Sequence, residues 1–142
     1  MPENLIQPDV SFIQSVVASG GNDVKRCFQC ATCSAGCTLS PADAPFPRKQ
    51  IIAAQWGLKD RLAGDPAIWL CHNCGDCTAY CPRGARPGDI LNALRREIIR
   101  HFAFPRLLGS LVASPKAWPL LFLLPALFFA AVALWAPKAE PT

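Results

Sequence analysis

Eight cysteines fall into two short runs, Cys-Phe-Gln-Cys-Ala-Thr-Cys-Ser-Ala-Gly-Cys from Cys27 to Cys37 and Cys-His-Asn-Cys-Gly-Asp-Cys-Thr-Ala-Tyr-Cys from Cys71 to Cys81. Both follow C-x2-C-x2-C-x3-C, and Pro82 follows the second. Thiolates are soft donors suited to iron–sulfur assembly. A [4Fe–4S] cube needs one thiolate on each iron. Three cysteines spaced by two residues wrap three corners, while the fourth points to the other cube in two-cluster ferredoxins. The pattern therefore assigns Cys27, Cys30, Cys33 and Cys81 to one cluster, and Cys71, Cys74, Cys77 and Cys37 to the other. The first run departs from the usual form, its proline coming four residues on, at Pro41. Ala31, Ala35, Gly36 and Gly75 leave room for backbone N–H groups near the sulfurs, one determinant of reduction potential.

Other chemistries fit less well. Structural zinc takes tetrahedral sets of Cys and His, and four cysteines so close together, twice, leave surplus ligands; a zinc-binding membrane adaptor is the remote alternative. Disulfides between such near neighbours have poor geometry. There is no phosphate-cradling glycine loop, nucleotide fingerprint or Ser/His/Asp set, so no catalytic residue is assigned. A formal charge of +4, without interleaved aromatics, argues against nucleic acid. His72 reads as a solvent-facing loop residue, His101 as a surface or interface residue, and Trp56 and Trp69 as core. Arg95, Arg96, Arg100 and Arg106 read as a solvated basic face.

The elements that must position these loops read as helices. Asp9 is an N-cap for a helix placing Val10, Ile13 (or Phe12), Val16 and Val17 on one face, with Gly20 and Gly21 as its stop. Pro47 suits a first turn, Ile51, Ile52 and Trp56 supply an apolar face, and Gly57 ends that helix. Leu58 to Ala63 gives another short helix closed by Gly64. Asp65 and Pro66 start one that runs into Cys71. Asp89 caps a long helix with Leu91, Leu94, Ile98 and Phe102 on one stripe. No stretch alternates with period two, so the soluble part reads as all-α, with the two loops an internal repeat whose clusters act as the core.

From Trp118 to Trp135 the chain reads WPLLFLLPALFFAAVALW, about 27 Å as a helix and enough to cross a bilayer core. Pro125 would kink it. Arg95, Arg96, Arg100, Arg106 and Lys116 precede the run and Lys138 follows it. The positive-inside bias puts the cluster domain on the cytoplasmic side of the cytoplasmic membrane, single-pass. Met1-Pro2-Glu3-Asn4 lacks the features of a secretory signal. The run holds no His or Met, so it ligates no haem. The expected layout is a helical extension at 1–22, a two-cluster domain at 23–104, a juxtamembrane linker at 105–117, a spanning helix at 118–136 and a tail at 137–142.

CFQCATCSAGC paired with CHNCGDCTAYCPRG, joined through FPRKQIIAAQWGLKDRL and DPAIWLC, resembles the C subunit of heterodisulfide reductase. With the apolar run added, the chain looks like the C subunit of the quinone-interacting membrane-bound oxidoreductase complex. The resemblance implies an α-helical ferredoxin fold, as also seen in the iron–sulfur subunit of succinate dehydrogenase, with the eight cysteines as ligands of two [4Fe–4S] clusters. It implies electron relay between flavin and iron–sulfur partner subunits and a haem-b or quinone-binding membrane subunit, indirectly the menaquinone pool. In sulfate reducers and some sulfur oxidisers that links to adenylylsulfate reductase. A relay to a disulfide-active catalytic subunit is the alternative the resemblance implies. The membrane-bound family member continues into several haem-carrying spans, whereas this chain has one, as a truncated form, a fragment or a split-gene version would.

Overall fold

A computed structural model of the chain describes residues 6–135; Met1-Pro2-Glu3-Asn4, the end of the expected span at Ala136, and the expected tail with Lys138 lie outside the described residues. Two compact units divide after His101, and among the described residues every regular element is helical. The all-α expectation holds.

The first unit begins with α1 (Val10–Ala18), whose N-cap Asp9 accepts a hydrogen bond from the Phe12 amide at 3.0 Å. The Cys27 loop leads into the one-turn α2 (Thr32–Ala35), then α3 (Arg48–Gln55), α4 (Lys59–Ala63) and α5 (Ala67–Leu70). The Cys71 loop leads into α6 (Asp76–Ala79) and the long α7 (Pro87–Phe102). Pro47 is the N-cap of α3 rather than inside it. Asp89 sits in the first turn of α7, which starts three residues earlier than a cap at Asp89 implies. Gly57 turns the chain after α3 at φ +69, where a Cβ would lie 2.5 Å from the Asp9 carbonyl oxygen, so only glycine fits. That close approach ties α1 to α3, through the Asp9 amide donating to the Gly57 carbonyl at 3.1 Å.

The unit has an apolar core of its own. Phe12, Val16, Val24, Phe46, Ile51, Ala54, Leu62, Ile68 and the α7 stripe of Ile90, Leu91, Leu94 and Ile98 are buried together. The expectation that inorganic clusters act as the core is corrected here: Cys27, Cys37 and Cys71 pack against this apolar cluster, so the cysteine loops lie over a hydrocarbon floor. Several stripe assignments also change. Trp56 is 52% exposed and Trp69 49% exposed. The face of α3 is filled by Ile51, Ala53 and Ala54, and that of the one-turn α5 by Ile68, leaving each tryptophan on the outer side. Phe12 and Val16 fill the core from α1 while Val10 is exposed, and Phe102 falls off the end of the α7 stripe at 64% exposure.

The second unit starts at Phe102. The juxtamembrane stretch is largely helical, with α8 (Arg106–Ala113) and a 3-10 turn (Pro115–Ala117) leading into α9 (Trp118–Trp135). Residues Pro115–Trp135 form a continuous run of 21 residues long and apolar enough to cross a membrane, none of it buried in the protein. Pro125 lies inside α9.

Candidate metal centre

The two cysteine loops share one backbone. Gln29 and Ala31 in the first have φ of 66 and 69; Asn73 and Gly75, at the matching positions of the second, have φ of 58 and 91. These left-handed residues coil each loop around the space its sulfurs face. Ala31 takes this conformation with a Cβ, at a cost glycine would avoid. Each loop then enters a one-turn helix, α2 or α6, and the two pack against each other. Gly36 is small for a different reason from the one expected: a Cβ there would meet the Tyr80 ring at 3.3 Å.

Matching side chains fix the repeat to the long helices. Ser34 Oγ in α2 accepts from the Arg48 amide at the start of α3, at 3.3 Å. Thr78 Oγ1 in α6 accepts from the Gly88 amide at the start of α7, at 3.1 Å. Each satisfies an otherwise unpaired first-turn donor. The first cysteine of each loop is held from behind by its carbonyl. Gln55 Nε2 donates to the carbonyls of Val24 and Cys27, both at 2.8 Å. Arg95 donates to the Ile68 carbonyl at 2.8 and 3.0 Å and also to that of Cys71. Arg95 is thus half-buried and engaged, contrary to the solvated face expected of it, and Arg96 and Arg100 bond to Ser19. Sequence reading missed Gln55 and Arg95. The signal was available for Arg95, which stands four residues after Leu91 and so on the flank of the buried stripe.

The sulfurs gather in two cavities, and each cavity draws on both loops. One is lined by Cys27, Cys30 and Cys33 with Cys81. The other is lined by Cys71, Cys74 and Cys77 with Cys37. His72 is exposed and lines the second cavity. His101 lies on an exposed stretch of α7, outside both cavities. Among the described residues no three His, Cys, Asp or Glu side chains converge on a point that would hold a single ion. Zinc would need its thiolates gathered at about 2.3 Å from one centre. A cage of four separated thiols around a cavity fits a body with several metal corners.

Donors reach the sulfurs. Cys27 Sγ accepts from Gln29 Nε2 at 3.4 Å, Cys81 Sγ from the Ala85 amide at 3.3 Å, and Cys71 Sγ from the Asn73 amide at 3.4 Å. Cys30 Sγ and the Thr32 hydroxyl are 3.3 Å apart. The Thr32 bond, with its amide and the Arg48 charge adding to it, holds the exposed Cys30 thiol below its usual range. Burial pushes Cys33 up to about 11, and pushes Cys77 up as well.

Residues 23–85 match the family model of the 4Fe-4S dicluster domain. The chain is 38% identical over 99 residues to the C subunit of the H(2):CoB-CoM heterodisulfide,ferredoxin reductase of Methanothermobacter thermautotrophicus, covering 67% of this chain and 53% of that one. It is 34% identical over 93 residues to a protein of Archaeoglobus profundus named as like the C subunit of heterodisulfide reductase, covering 65% of this chain and 47% of that one. The chain is a homologue of these C subunits and carries a 4Fe-4S dicluster domain. It spans about half the length of the curated relatives it matches.

Proposed function

We propose that this C-subunit homologue is the electron-relay component of a membrane-associated respiratory oxidoreductase, with one [4Fe–4S] cluster on Cys27, Cys30, Cys33 and Cys81 and a second on Cys71, Cys74, Cys77 and Cys37. The observation that carries the reading is the crossing of the loops. Each cavity is lined by three cysteines of one run and the last cysteine of the other, the division a two-cluster ferredoxin uses. When bound, such clusters take up and release single electrons.

The chain's own residues supply the thiolates, the sulfur donors Gln29, Thr32, Asn73 and Ala85, and the clamps Gln55 and Arg95 that hold the loops. Flavin and iron–sulfur subunits are the partners on one side, and a haem-b or quinone-binding membrane subunit leads to the menaquinone pool on the other, in dissimilatory sulfur metabolism. The length and apolar surface of the Pro115–Trp135 run support the membrane side of this reading. The arginines and Lys116 before it support a cytoplasmic cluster domain.

A second reading draws on the names of the relatives, which are heterodisulfide reductase subunits. In it the relay feeds a disulfide-active catalytic subunit. Copurification of a haem-b membrane protein with the native complex supports the first reading, and that of a thiol–disulfide subunit without haem supports the second.

The ligand sets are tested by pairing substitutions. Cys30→Ser with Cys81→Ser removes two ligands from one proposed cage, so about four irons per chain remain on the other. Loss of nearly all iron in that double variant would show that each loop closes its own cluster.

A further inference from the structure

Charge is distributed unequally around the two cavities. Arg48 and Arg83 line the one with Cys27, Cys30, Cys33 and Cys81, and among the described residues neither is ion-paired with a carboxylate. Arg83 lies over the Phe28 ring at 5.6 Å, at the mouth of the same cavity. The nearby Arg26 is neutralised by Asp23 at 3.1 Å, and Arg86 by Asp89 at 2.7 Å. The other cavity is lined by Asp76 and His72 and by no arginine or lysine. Arg95 reaches the second loop only from behind, through the carbonyls of Ile68 and Cys71.

Hydrogen bonding leans the same way. Three sulfurs of the first cage, Cys27, Cys30 and Cys81, have partners in Gln29, Thr32 and Ala85. The Ser34 side chain adds a bond to Cys33, whereas in the second cage two sulfurs have partners, Cys71 in the Asn73 amide and Cys77 in the Thr78 side chain. A cube on four thiolates becomes more negative by one charge when it takes up an electron. Cations and sulfur donors nearby therefore stabilise its reduced form and raise its potential. Dry surroundings oppose this, and Cys33 is 8% exposed. Yet the matching Cys30 and Cys74 are both exposed, so solvent reaches both cages and the charges separate them.

We propose that the cluster at Cys27, Cys30, Cys33 and Cys81 has the higher reduction potential of the pair, set by Arg48 and Arg83, and that within the chain an electron passes to it from the cluster at Cys37, Cys71, Cys74 and Cys77. One electron leaves the donor cluster and one enters the acceptor; no bond or proton moves. The inference rests on the two-cluster reading above.

The test is a potentiometric EPR titration of the full chain, purified without air in detergent and reduced stepwise with dithionite, with iron and sulfide assayed in each preparation. Two cluster signals appear at separate potentials. Arg48→Gln and Arg83→Gln each lower the higher one and leave the other in place, while Asp76→Asn raises the lower one. Arg83 is exposed, so Arg83→Gln carries the test should Arg48→Gln lose iron. An arginine substitution that moves the lower potential, both alike or neither, with about eight irons present, overturns the inference. An unsubstituted chain that holds about four irons or fewer overturns the two-cluster reading instead.

Discussion

Cys30 and Cys33 differ by three positions in one loop yet face opposite environments. The Thr32 hydroxyl favours the Cys30 thiolate, and burial favours the protonated Cys33 thiol, pushed up to about 11. Cluster ligation needs the thiolate, so Cys33 gives up its proton as iron binds and assembly is favoured by rising pH. In the iron-free reduced chain at about pH 8, iodoacetamide is expected to label Cys30 first and Cys33 last, by at least tenfold in rate. Mass spectrometry of quenched samples measures this order. Equal rates at the two positions would show that the loop does not hold its shape without iron.

At the level of elements, the long helices act as clamps. Gln55 on α3 and Arg95 on α7 hold the carbonyls of Cys27 and Cys71, and Ser34 and Thr78 pin the one-turn helices to the starts of α3 and α7. Charged hydrogen bonds to half-buried carbonyls contribute about 1.5–3 kcal/mol each set. Arg95→Leu is therefore expected to destabilise the first unit by about that amount and to speed iron loss to a chelator severalfold. The half of the iron lost first is the half assigned to the Cys71 loop. Chelator kinetics followed by the visible absorbance of the clusters reads this out; loss of both halves at unchanged rates would remove Arg95 from its clamping role.

For the molecule as a whole, α9 is the part that the first unit does not explain. A run of 21 residues with no buried share leaves apolar surface in water unless a membrane or other apolar partner covers it. A chain ending at Ala117 is expected to be recovered in the soluble fraction with its iron content intact, because the apolar core and both cavities lie within residues before His101. The full chain is expected to stay in the membrane pellet through a high-salt wash. Release of the full chain by salt would show that basic residues alone hold it there.

The ligand types, the repeat and the helical class were legible in the chain because they are local. Cysteine spacing is fixed by covalent geometry, and helical periodicity and caps such as Asp9 act over a turn or less. What surrounds the loops was not legible. The exposure of Trp56 and Trp69, the hydrocarbon floor under the cysteines, and the choice of the Cys71 loop as the partner of Arg95, whose place on the flank of the stripe was legible, depend on which helix faces are already filled by Ile51, Ile68 and Leu94 from distant parts of the chain. The same holds for the charge difference between the cavities. Arg48 follows the first loop and Arg83 the second, and only the crossing of the loops sets both beside one cage.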